Sequence, residues 1–384
     1  MRVELPEPSP DEIAHSERLA ALIREEIADA SGVLDFARYM ELALYTPGLG
    51  YYSAGATKFG AAGDFVTAPE LGPVFARCLA RALAPTLRET GGDVLELGPG
   101  SGVLAAELLL ELERLGALPA RYRLLERSAD LRERQRATLL ERCPHLYNLA
   151  QWLDVPPPEP WQGVLVANEV IDALPVRLFT LRDEGCFART VATDTNRRFT
   201  WREIPADAAL ASAVTQTLGA HLRKLPRPYL SEICVQLPAW LAEVTLSLER
   251  GEAWFIDYGY DRASYYTPAR REGTLRCHYR HRAHNDPLIL PGLQDITAWV
   301  DFDTLIEAAT NAGFDCVGNV AQSRFLIEHG LDEVFATAHD HAVGESARYR
   351  LAQEVKRLTL PGQMGEAFRV ICLRRGVGKS VPAR

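Results

Sequence analysis

The sequence predicts an α/β fold built on a nucleotide-binding sheet, preceded by a helical extension and interrupted by inserted segments. Three observations carry this prediction. Val94-Leu95-Glu96-Leu97-Gly98-Pro99-Gly100-Ser101-Gly102 reads as a strand, a glycine turn and the start of a helix. Apolar, β-prone runs at residues 122–126, 163–167 and 254–260 each end in polar side chains. Helical patterns separate these runs, which is the alternation that builds a parallel sheet.

Taken in order, residues 1–88 are expected to form a helical extension and a loop that covers the cofactor. Ile13, Leu19, Leu22, Ile23 and Ile27 recur at helical spacing over residues 11–30, and Ser31-Gly32 ends that helix. A second helix is expected over residues 35–44. Residues 58–70 are rich in glycine and small polar groups, so this stretch reads as a loop that approaches a ligand, with Asp64 and Thr67 beside the cofactor. A helix over residues 71–90 leads into the central strand.

Residues 89–182 hold the first part of the nucleotide-binding domain. The glycine spacing is Gly98-x-Gly100-x-Gly102, and Val103 stands where a dinucleotide fingerprint needs its third glycine. Glu96 lies two residues before the first glycine, in what reads as the turn. A carboxylate there repels a pyrophosphate and suits a cationic ligand. S-adenosylmethionine, with its α-amino group and sulfonium, fits, and a nicotinamide cofactor does not. Glu126, about 24 residues past Gly102 at the end of the second strand, is expected on the ribose hydroxyls. A helix is expected over 129–142 and a third strand over 146–150, leaving Gln151 and Trp152 where an adenine ring would lie, though Trp152 suits the core equally well. After the buried run at 163–167, Asn168 lies at the carboxyl edge of the sheet, where such folds bind ligands. Glu169 and Asp172 are three apart, so a helical turn would set both carboxylates on one face, to hold a cationic substrate or to favour a helix N-terminus.

Residues 183–250 are expected to be an inserted segment on the substrate side: a hairpin over 176–202, then helices over 206–219 and 233–248. Residues 251–384 complete the domain, with a loop insertion near 261–300. The strand 254–260 has a polar end, with Asp257 and Tyr258 expected to face the same edge as Glu169. His278, His281 and His284 fall in the expected loop without a strong ligand pattern, so no metal is expected. A helix over 301–312, a strand over 314–320, mostly helical chain over 321–358 and a closing strand over 368–374 follow.

Composition narrows the function classes. The net charge of −9 and the absence of a long Lys/Arg block argue against nucleic acid as a partner. Seven scattered cysteines without a Cys-x-x-Cys argue against a disulfide framework and predict a reducing, cytoplasmic location. The acidic, proline-punctuated start lacks the basic and apolar regions of a secretion leader. No apolar run approaches the ~20 residues that span a bilayer. A homodimer is compatible with the sequence, which carries no interface signal.

Five blocks together resemble a known family: residues 63–70, residues 96–102, residues 168–176, Ile256-Asp257-Tyr258-Gly259-Tyr260, and residues 295–302. In this order they are similar to the MidA-type methyltransferases, over residues 31–374. The resemblance implies a class I S-adenosylmethionine-dependent fold with a Rossmann-like, seven-stranded sheet. It further implies a protein substrate with a target arginine, which in mitochondria is symmetrically dimethylated on a respiratory complex I subunit. Two departures are Ala76, where relatives often carry glycine, and Trp299, where histidine is common. Glu169 and Asp172, with Asp257 in reserve, are the expected catalytic acids, gripping a guanidinium and orienting its attacking nitrogen. A small-molecule methyltransferase, or a cofactor-binding assembly factor with little activity, remains open on the sequence alone.

Overall fold

The strand Asp93–Leu97 is buried at every position and pairs in parallel with a neighbour on each side, Tyr122–Leu125 and Trp161–Asn168. In the computed structural model, which describes residues 5–53 and 67–378, this strand lies in the middle of a sheet. The sheet runs Asp315–Ala321, Phe368–Arg375, Leu248–Tyr260, Trp161–Asn168, Asp93–Leu97, Tyr122–Leu125, Ala150–Leu153. These seven strands match the expected class I sheet. The five from Leu248–Tyr260 to Ala150–Leu153 are parallel, and Phe368–Arg375 enters antiparallel beside Leu248–Tyr260. The closing strand is therefore internal, and Asp315–Ala321 takes the edge. Burial explains the choice: Val370, Ile371, Cys372 and Leu373 are buried, while the edge strand is largely exposed.

This sheet belongs to a compact unit made of Val66–Val170, Trp240–Gly259 and Ile306–Arg384. Its core includes Leu79 and Leu83 of the helix Val74–Thr90, Leu104 and Leu108 of Val103–Arg114, and Val94, Tyr122 and Val164 from the strands. Each fully buried Leu or Val adds roughly 1.5–3 kcal/mol relative to an exposed one. Ala76 is 1% exposed within this core. Two expected boundaries move. The helix placed over 71–90 starts at Val74, because Gly72 and Pro73 interrupt it after the short helix Ala68–Leu71. The third strand is Ala150–Leu153, and residues 144–149 form a 3-10 turn. Leu146 and Leu149 are three apart, the repeat of a 3-10 helix rather than of a strand.

The other unit comprises Met1–Phe65, Ile171–Ala239 and Tyr260–Leu305. Its first helix, Pro10–Asp29, opens with a capping box: Ser9 Oγ accepts from the Glu12 N–H, and Glu12 Oε2 accepts from the Ser9 N–H at 2.7 Å. The stripe Leu19, Ile23 and Ile27 is buried with Tyr39 and Met40 of the helix Phe36–Tyr45 and with Val176, Leu178 and Val191. The antiparallel strands Phe199–Pro205, Gly185–Thr193, Arg177–Arg182 and Tyr229–Ile233 form one sheet in that order. Ile233 thus ends a strand instead of starting a helix, and the helix is Leu237–Thr245. The expected loop around His278 contains a second antiparallel sheet of Arg282–His284, Arg276–Tyr279 and Asp295–Thr297. Cys277 and Tyr279 point inward with a strand's period of two, a pattern that the intervening arginine and histidine obscure.

Candidate functional site

The glycine turn leaves the central strand with Gly98, Gly100 and Gly102 at φ of +59°, +52° and +81°. Gly102 caps the helix Val103–Arg114, and no side chain caps that end strongly. The first N–H groups of the helix therefore face the turn with their partial positive charge. Glu70, on Ala68–Leu71, accepts a hydrogen bond from Ser101 Oγ and ties the segment after Thr67 to the turn. Thr67 itself forms no side-chain capping bond. Asp64 lies outside the described residues.

A residue missed in the sequence ties the glycine turn to Glu126 and Trp152. Gln135 is 0% exposed. Its Nε2 donates to Gly100 O at 3.0 Å and to Glu126 Oε2 at 3.3 Å, and its Oε1 accepts from Trp152 Nε1 at 2.8 Å. Because the indole can only donate and the other two partners accept, one orientation of the amide satisfies all three bonds. Thr138, one turn on, donates to Ser101 O at 2.8 Å, so the helix Ala129–Arg142 holds two carbonyls of the turn. The only available signal was two polar residues three apart on a helix.

Glu126 sits at the end of its strand, with Oε1 accepting from the Ser128 N–H at 2.8 Å, and burial raises its carboxyl above the usual range. Trp152 lies inside the third strand instead of after it. Its N–H is taken by Gln135 and the Arg136 guanidinium lies 4.9 Å from its ring centre, so it braces the network. Gln151, next to it, is exposed.

Glu96 lies within the strand, not in the turn. It is 2% exposed on the face shared with Val94 and Tyr122, and its Oε2 accepts from Tyr122 Oη at 2.7 Å. Burial pushes its carboxyl up to about 7, against the lowering effect of the tyrosine bond. A folded-state value above the ordinary 4.5 means that the contribution to stability is complete below about 4.5 and is lost as pH rises through about 7. The ceiling on that loss is on the order of 3 kcal/mol. The melting temperature of the cofactor-free protein is thus expected to fall between pH 5 and pH 8, and Glu96→Gln to flatten the fall. Melting curves at the two pH values check this, and an unchanged slope in the variant contradicts it. Glu354, also raised to about 7 by burial, leaves a residual slope of the same sign.

At the carboxyl edge, Asn168 ends its strand in register with Ile256 of the neighbouring parallel strand, which runs on to Tyr260. The Glu169 N–H extends the ladder by donating to Ile256 O at 2.8 Å, and Glu169 then turns to φ +53°. A left-handed backbone is costly for a residue with a Cβ and collects at functional sites. Glu169 Oε1 accepts from Asn168 Nδ2 at 3.2 Å and lies 3.4 Å from the Ala68 N–H. Asn168 Oδ1 is buried and receives no hydrogen bond among the described residues. Asp257, 1% exposed, follows Ile256 and accepts from the Tyr258 N–H at 2.9 Å. The structure brings Asn168, Glu169 and Asp257 to one sheet edge. The helical turn expected to align Glu169 with Asp172 is absent: residues 169–174 are bends and turns, because the ladder bond and the left-handed φ at Glu169 cannot continue into a helix. Asp172 belongs to the other compact unit, where its main-chain oxygen accepts from the Ala298 N–H.

These groups fit S-adenosylmethionine. The glycines leave the turn backbone bare, Glu126 can accept from ribose hydroxyls, and the orphaned Asn168 oxygen awaits a donor such as an amine. Among the described residues no His, Cys, Asp or Glu trio could hold a metal, and no helix is long and apolar enough to cross a membrane.

Comparison with known proteins agrees with the cofactor. A family model described as "Putative S-adenosyl-L-methionine-dependent methyltransferase" matches residues 78–320. A solved structure from Burkholderia thailandensis, bound to S-adenosyl-homocysteine, is 43% identical with a TM-score of 0.92, covering 99% of this chain and 97% of its own. The mouse protein named "Protein arginine methyltransferase NDUFAF7, mitochondrial" is 28% identical, over 95% of this chain and 87% of its own. The human protein of that name is 27% identical, over 90% and 80%. The mitochondrial names overturn the cytoplasmic location expected from the cysteines. Free thiols report a reducing environment without saying which compartment provides it.

Proposed function

We propose, because the chain belongs to this family of S-adenosyl-L-methionine-dependent methyltransferases, that it methylates an arginine side chain of a protein. The observation that carries this reading is the pair Glu169 and Asp257, carboxylates that each follow one of the paired residues Asn168 and Ile256 of neighbouring parallel strands, in the same compact unit as the glycine turn. The curated relatives named as protein arginine methyltransferases support the acceptor class. A respiratory complex I subunit, implied by the family resemblance, is the first acceptor to try.

The cofactor supplies an electrophilic sulfonium methyl; the rest falls to this chain. The glycine turn and Glu126, braced by Gln135, would hold the adenosine end, and the open helix N-terminus beyond Gly102 and Asn168 Oδ1 would complete the cradle. Glu169 accepts N–H bonds from the guanidinium, which is charged at any ordinary pH and a poor nucleophile until oriented. Its carboxylate takes the proton that the attacking nitrogen loses, with Asp257 in reserve. The test is the fate of label from a methyl-labelled cofactor after hydrolysis of the labelled protein. Label in methylarginine supports the reading; label confined to small molecules assigns a metabolite acceptor, and cofactor binding without transfer assigns an assembly role.

A further inference from the structure

The unit that contains the two antiparallel sheets encloses a cavity of about 30 Å³, lined by Glu232, Leu237, Tyr265, Tyr266, Ala298 and Trp299 among others. A water needs roughly 10–15 Å³ by this measure, so the space suits a group of about two waters' bulk, such as the planar head of a guanidinium. An adenine ring is too large for it.

The wall chemistry favours a cation. Glu232 is 1% exposed, with Oε1 accepting three hydrogen bonds: from Tyr265 Oη at 2.6 Å, from the Thr274 N–H at 2.8 Å and from Thr274 Oγ1 at 2.6 Å. Among the described residues no donor from another residue reaches Oε2, and no arginine, lysine or histidine pairs with the carboxylate. Burial accordingly raises its carboxyl. A buried carboxylate without a cation is costly, and the usual remedy is a partner of opposite charge. The second acid of the lining, Asp301, already has its partner in Arg262 at 3.3 Å. The remaining lining is mostly aliphatic, with Trp299, Tyr265 and Tyr266 as its aromatic part. Trp299 stacks on Tyr260 with ring centres 4.6 Å apart, and Tyr265 lies 4.7 Å from Tyr266. Flat aromatic faces beside one carboxylate attract guanidinium and repel anions.

We propose that this cavity is a guanidinium-binding subsite for the acceptor protein, with Glu232 as its counter-ion and the Trp299, Tyr265 and Tyr266 rings as the aromatic part of its lining. The proposal rests on the arginine reading above but is tested apart from methyl transfer. Ethylguanidinium and ethylammonium are titrated into the full chain by calorimetry or chemical-shift perturbation, alongside Glu232→Gln and Ala298→Leu, with folding checked by melting temperature. Gln can still accept the bonds from Tyr265 and Thr274, and Ala298→Leu fills the cavity without touching the carboxylate. The expected result is saturable ethylguanidinium binding to the wild type, weakened at least tenfold in both variants, with S-adenosylmethionine affinity unchanged. Equal binding of ethylguanidinium by wild type and a folded Glu232→Gln overturns the proposal, as does equal affinity for ethylammonium. If ethylguanidinium binds as stated yet no protein arginine is ever methylated, the functional reading fails and the subsite stands. Methylarginine formed with unaltered KM in both variants separates the two the other way.

Discussion

Gly102→Ala is expected to weaken S-adenosylmethionine binding by roughly 100-fold and to lower the melting temperature. Two costs combine at this position. A left-handed φ of +81° costs a residue with a Cβ about 1–2 kcal/mol. The added Cβ would also lie 3.0 Å from Gln135 Cα and 3.3 Å from its Cβ, so the backbone of the facing helix has to give way. Displacing Gln135 loosens its bonds to Gly100 O, Glu126 and Trp152 together. Each 1.4 kcal/mol is a factor of ten in affinity, so about 3 kcal/mol gives the stated loss. Gly116→Ala is the control: its φ is +64°, but nothing lies within 4 Å of the added Cβ. It should share the backbone cost in stability and keep the cofactor affinity. Calorimetric titration of both variants checks this, and a Gly102→Ala protein that binds like wild type contradicts the placement of the cofactor at the turn.

Glu169→Gln is expected to reduce methyl transfer by about 10²–10⁴-fold, the range for loss of a positioned general base. Cofactor affinity should stay within a factor of about three, because the amide keeps an oxygen for the Asn168 Nδ2 contact and the charge lost is on the substrate side. The left-handed backbone at Glu169 persists in the variant, since Gln has the same Cβ, so the comparison isolates the carboxylate. Single-turnover rates with preloaded cofactor separate the two effects. A parallel loss of binding and rate would move Glu169 to the cofactor site; an unchanged rate would remove it from the chemistry.

The parts legible in the sequence are those with a local signature. Buried parallel strands read as continuous apolar runs, and the turn reads as glycines at fixed spacing, so the sheet and its ligand edge emerge from Val94 to Gly102 and from residues 163–167. The parts that escaped depend on partners distant along the chain. Glu96 looks like a turn acid because the tyrosine that receives it into the strand face lies 26 residues on. Gln135 is one polar residue on an amphipathic helix, and its bonds reach 35 residues back to Gly100 and 17 forward to Trp152. The spacing of Glu169 and Asp172 suggested a shared helical face, and only the ladder bond to Ile256 reveals that the chain turns away from a helix there. In the same way, Glu232 carries no sequence motif, and its lack of a cation appears only when the strand Tyr229–Ile233 is seen against Tyr265 and Thr274.

The central claim, transfer of a methyl group to a protein arginine, is tested most directly by incubating the purified protein with methyl-labelled S-adenosylmethionine and an extract of its source cells. Labelled proteins are resolved, hydrolysed and analysed for methylated amino acids, with Glu169→Gln run in parallel. The account expects a discrete labelled protein whose label is recovered as methylarginine and is lost in the variant. Label recovered only in small molecules, or in a protein residue other than arginine, would contradict it.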